Sequence, residues 1–167
     1  MAVALSIPIM ALIAVLQTTI MPQFRILGGE PDLAFLFVLG WSIHGRLDQT
    51  LIWAFVAGIC ADLLSAAPTG TSVVGLLLIV FWVAVLRSQV VRVGFISIIG
   101  LVIIGTFIHK ITYMLILTGV GFQVSIITGL VYVALPTVVY NILFMVPIYR
   151  IMRFVQRRSG GDYTNTV

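Results

Sequence analysis

Charge is scarce in this sequence. Only 8% of its 167 residues are Asp, Glu, Lys or Arg, where a soluble domain carries about a quarter. Against 61% hydrophobic residues, that shortage excludes a soluble fold, because a domain of this length leaves much of its surface in water. Cysteine is nearly absent too. Cys60 stands alone, so there is no internal disulfide and no redox compartment to infer. No phosphate-binding G-x-x-x-x-G-K-[ST] loop, H-E-x-x-H pair or C-x-x-C pair is present. The two histidines, His44 and His109, fall on different segments. Ser65 lies near Asp62 with no histidine beside it to act as a base. These absences argue against an enzyme and against a metal or cofactor site. Nothing points to nucleic acid. There is no internal repeat, no low-complexity tract and no soluble domain. Met1–Met21 lacks a basic start and has too long an apolar run for a cleaved signal, so it reads as a span.

What remains is a succession of apolar runs. A spanning helix takes about 20 apolar residues. The runs predict an all-α membrane protein, a bundle of six transmembrane helices over 1–149. A basic cytoplasmic tail, 150–167, follows and is expected to be disordered at its end. The spans fall at Ala2–Met21, Pro31–His44, Gln49–Leu64, Thr71–Leu86, Gly94–Thr118 and Val124–Tyr149. The second is short. At about 21 Å of helix it is marginal, and five spans plus a re-entrant segment is the alternative. Pro31 suits a helix start, and Glu30 and Asp32 favour its positive end. With six spans and both termini inside, Arg46, the Arg87–Arg92 loop and the tail arginines collect on the cytoplasmic side, leaving Arg25 outside. Both topologies place the C-terminus in the cytoplasm. The tail arginines, Arg150, Arg153, Arg157 and Arg158, suit anionic lipid at the inner surface.

A few residues stand out against this background. Asp62 lies in the last turn of the third span, where a carboxylate opposes the helix dipole. Two readings stay open. One is a local cap, its oxygens accepting backbone N–H groups from the Ser65–Gly70 turn, which holds Pro68, or from the start of the fourth span. The other is contact with a partner or small ligand, because ionisable groups at membrane depth are costly. Lys110 either snorkels to the outer interface or neutralises one of Glu30, Asp32 and Asp62 across the bundle. Asp62 is the partner first expected. Ala54, Gly58 and Asp62 recur at four-residue spacing, as do Ala57 and Ala61, a pattern that lets helices approach in lipid. In the last span Pro136 frees the carbonyl of Tyr132 and should bend the helix. Asn141 needs a hydrogen-bond partner there.

The Pro31–Asp32–Leu33 start of the second span, and the run Gly58-x-x-x-Asp62–Leu63–Leu64–Ser65 closed by Pro68-x-Gly70, resemble the pattern of MreD, the bacterial rod shape-determining membrane protein. Length, hydropathy and the short basic tail fit as well. Ala66–Ala67 departs from the glycine that often follows the serine in that family. The resemblance implies a non-catalytic integral membrane scaffold of the cell-elongation machinery in the bacterial cytoplasmic membrane. Its implied partners are the bitopic protein MreC, RodA with its transpeptidase partner, and MreB, and its implied role is to regulate cell shape and lateral peptidoglycan synthesis. The implied fold is also similar to the substrate-binding S subunits of energy-coupling-factor transporters, which leaves a vitamin-binding membrane subunit as the alternative. Few polar groups converge within the spans, which favours the scaffold.

Overall fold

The computed structural model describes residues 6–25, 28–89 and 94–158. The chain there is helical: α1 (Ser6–Thr19), a 3-10 turn (Met21–Phe24), α2 (Leu33–His44), α3 (Leu47–Leu63), α4 (Thr71–Gln89) and α5 (Phe95–Gly119). The last helix comes in three parts, α6 (Ile126–Gly129), a π turn (Leu130–Ala134) and α7 (Leu135–Arg158).

The short second segment is the centre of the bundle. Phe35, Leu36, Val38 and Leu39 are fully buried, and Ala34, Trp41 and Ile43 nearly so. A helix apolar on every side belongs inside, and α2 packs against α1, α3, α4, α5 and α7. Its 12 residues make about 18 Å, well short of a hydrocarbon core of about 30 Å. Protein on all sides permits the shortfall, provided the helix ends find partners within the protein. At the C-terminal end Arg87 Nη1 donates to the carbonyls of Ser42 at 3.0 Å and Gly45 at 2.7 Å. Arg87 therefore belongs to α4 and ties it to α2, rather than starting a solvated loop. Arg92 lies outside the described residues.

Helices α3 and α4 meet at backbone distance. Ala54, Gly58 and Asp62 all lie on the buried stripe of α3. A Cβ on Gly58 would lie 2.5 Å from Val73 Cα, so only glycine allows this approach. Beside it, Trp53 of α3 stacks on Trp41 and Phe37 of α2, with ring centroids 4.9 and 5.4 Å away.

Among the described residues, two stretches are long and apolar enough to cross a membrane, Ile96–Gly119 and Ile126–Ile151. Within an 18-residue window of each, only 33% and 28% is buried. The core helix of a soluble protein would be mostly covered, whereas these two present Ile96, Ile127, Tyr132 and Leu143 outward. Ser6–Thr19, Leu33–Ile43 and Thr71–Arg87 are shorter apolar helices. Pro136 leaves the carbonyl of Tyr132 without its usual N–H partner. That carbonyl lies within the π turn, and the backbone of Gly28 packs over it, where a Cβ would approach to 2.7 Å. The helix continues past Tyr149 through Arg158. The end of the tail, expected to be disordered, lies outside the described residues.

Candidate functional site

Asp32 is the side chain on which most buried polar contacts converge. It is the N-cap of α2, and its Oδ1 accepts from the Phe35 N–H at 3.1 Å. Its Oδ2 accepts from Lys110 Nζ of α5 at 2.9 Å. His109 Nδ1 lies 3.3 Å from the same oxygen, close enough for electrostatic contact, but neither ring nitrogen has an aligned hydrogen-bond partner. The His109 ring stacks nearly parallel on Phe35, with centroids 5.8 Å apart. Gly75 of α4 makes room for it, since a Cβ there would lie 2.5 Å from His109 Cδ2.

The backbone around Asp32 is held from two further helices. Asn141 Oδ1 of α7 accepts from the Asp32 N–H at 2.9 Å, and its Nδ2 donates to Thr106 Oγ1 of α5 at 3.0 Å. Thr106 Oγ1 in turn donates to the Val102 carbonyl at 2.7 Å. Gln17, near the end of α1, accepts from the Leu33 N–H and donates to the Pro31 carbonyl, each at 2.7 Å. Pro31 has no N–H to satisfy, which suits a buried, non-helical approach to α2. One carboxylate and two amides thus fasten α1, α2, α5 and α7 together. Thr106, His109 and Lys110 reach it from one face of α5, as their three- and four-residue spacing allows.

Asp62 is satisfied separately. Its Oδ2 accepts from the Gly70 N–H at 2.7 Å, and its Oδ1 from the Ser72 N–H at 3.0 Å. The carboxylate at the end of α3 therefore faces the positive end of α4, which offsets the unfavourable dipole of its own helix. Ser65 Oγ donates to the Asp62 carbonyl and accepts from the Ala67 N–H, each at 3.2 Å. Thr71 Oγ1 donates to the Pro68 carbonyl at 2.7 Å. Gly70 closes the turn at φ +103°, a left-handed conformation suited to glycine.

The Lys110 expectation therefore changes. Its ammonium meets Asp32, not Asp62, and it does not snorkel outward. Glu30 has its own partner, Arg25, at 3.6 Å on the surface. Asp32 is one of the three carboxylates that the sequence offers to Lys110, and Asn141 is the addition the sequence does not join to them. Sequence reasoning gave no role to Thr106, Gln17 or Gly75. The spacing of Thr106, His109 and Lys110 on one helix face was the available signal. Among the described residues no three His, Cys, Asp or Glu side chains are grouped to hold a metal.

These features define a class: an all-helical membrane protein whose buried charges are engaged with one another and with helix ends. The chain belongs to the family of the rod shape-determining protein MreD, whose model matches residues 1–158. No curated protein and no solved structure matches it. Membership gives it a role in rod shape determination, as a membrane protein of the shape-determining machinery.

Proposed function

We propose that this chain is a non-catalytic scaffold of the bacterial elongation machinery, crossing the cytoplasmic membrane six times with its C-terminus inside. It holds the single membrane helix of an MreC-type protein and through it helps to regulate lateral wall synthesis by a RodA-type glycosyltransferase and its transpeptidase, in register with MreB. The family match over residues 1–158 carries this reading. The interior supports it: Asp32, Lys110, Asn141, Thr106 and Gln17 bind one another and the backbone rather than converging on an open chamber. A solute-binding subunit needs polar groups aimed into a cavity.

Affinity purification of the full chain from native membranes tests the proposal. An MreC-type bitopic protein recovered in fixed ratio is the expected result. A tightly retained small molecule with no protein partner would overturn it in favour of a transporter-like binding subunit. Cysteine labelling at positions 25, 46 and 119 from each side of the membrane tests the topology. Positions 25 and 119 should label from outside and position 46 from inside.

A further inference from the structure

At the end of the bundle away from Asp32, a slot of about 270 Å³ opens between α2, α4 and α5. Its walls are apolar: Ile43 of α2, Trp82 and Leu86 of α4, and Leu101 and Ile104 of α5. Gly100 also lines it, and a Cβ there would meet nothing within 4 Å, so the α5 wall is open at that point. Arg87 and Ser97 are the polar residues of the lining. Arg87 donates to two neutral carbonyls, and among the described residues no carboxylate pairs with it. Its positive charge is therefore held in place but not neutralised. The first turn of α5 adds to it, since Gly94 provides no side-chain cap for the N–H groups beside Ser97.

An apolar slot ended by a fixed, uncompensated cation matches an amphiphile with an anionic head and a hydrocarbon tail. We propose that this slot is a binding site for an acidic phospholipid, with an acyl chain along Trp82 and Gly100 and the headgroup phosphate at Arg87. A zwitterionic lipid fits the slot equally well but brings a second charge that cancels the attraction. The proposal rests on the membrane character of the chain and not on its scaffold role, so either can fail alone.

Trp82 reports occupancy directly. The full chain is reconstituted in phosphatidylcholine vesicles containing a minor fraction of phosphatidylglycerol brominated on its acyl chains, or the same fraction of brominated phosphatidylcholine. Bromine quenches indole on contact, and Trp41 and Trp53 are buried away from lipid. One cation near an anionic headgroup should give the acidic lipid an advantage of about fivefold in half-quenching concentration. Arg87→Gln should remove that preference, although it also frees the end of α2 and can unfold the protein. Gly100→Leu places an isobutyl group in the slot, starting from a Cβ that meets nothing within 4 Å. It should abolish the preferential quenching while thermal unfolding stays as in the parent. Equal quenching by the two lipids, or a preference that survives Gly100→Leu in folded protein, overturns the proposal.

Discussion

Replacing Lys110 by methionine keeps an unbranched side chain one atom shorter and removes its charge. Asp32 would then keep the Phe35 N–H and lose the ammonium at 2.9 Å. Two independent scales set the magnitude. Removing one partner of a buried ion pair costs about 3–5 kcal/mol. Placing an unpaired Asp at the centre of a membrane helix costs about 2.5–3.5 kcal/mol on insertion scales. We therefore expect Lys110→Met to destabilise the protein by about 3 kcal/mol. Asp32→Asn leaves the lysine unpaired and should cost a similar amount, but asparagine still caps a helix as well as aspartate does. The double variant Asp32→Asn/Lys110→Met has no stranded charge and should recover most of the loss, giving a coupling greater than about 3 kcal/mol, the cost of either single variant. Reversible unfolding in mixed micelles, followed by far-ultraviolet circular dichroism, measures all four corners of the cycle. A second cycle pairs Asp62→Asn with Lys110→Met and should be additive within about 0.5 kcal/mol. Additivity in the first cycle and coupling in the second would refute the assignment of Lys110 to Asp32.

Three further predictions follow from single contacts. Asp62→Ala strands the Gly70 and Ser72 N–H groups at the start of α4 and should cost about 1–3 kcal/mol in the same unfolding assay; Asp62→Asn, which keeps one acceptor, should cost less. Gly58→Ala forces a Cβ against Val73 Cα and should destabilise by about 1–3 kcal/mol, whereas Gly100→Ala, with open space around it, should be neutral or stabilising by up to about 1 kcal/mol. Asn141→Leu breaks the link from α7 to Asp32 and Thr106 and should cost about 1–2 kcal/mol; in addition, protection of the Asp32 amide from hydrogen exchange should fall.

Much of this architecture was legible because lipid imposes simple rules. Apolar run length located the helices, and small residues four apart marked the α3 face that Gly58 presses on α4. The short run at 31–44 was harder to read. Length alone made it marginal, because a one-dimensional reading assumes that each span faces lipid along its whole length. Helix α2 is instead shielded by five others, and its ends are satisfied by Asp32 and Arg87. The pairing of Lys110 was unreadable for a related reason. Glu30, Asp32 and Asp62 were all expected at one level, and only the helix arrangement distinguishes among them. Asp62 was visible as a costly residue, and the turn chemistry beside it suggested a cap. Its oxygens meet both of the places the sequence offers, the Gly70 N–H in the turn and the Ser72 N–H at the start of α4. The role of Arg87 was hidden by its position at a run's end, where a basic residue ordinarily reads as a loop signal.

The proposed scaffold role requires that the buried charges hold the bundle together rather than act in chemistry or transport. The most direct measurement is cell shape when Asp32→Asn/Lys110→Met replaces the native copy, with the amount of folded protein in the membrane determined in the same cells. The account predicts rods of normal width with the variant at parental abundance, because the pair is removed without stranding either charge. Folded variant at parental abundance in cells that have lost their rod shape would contradict it.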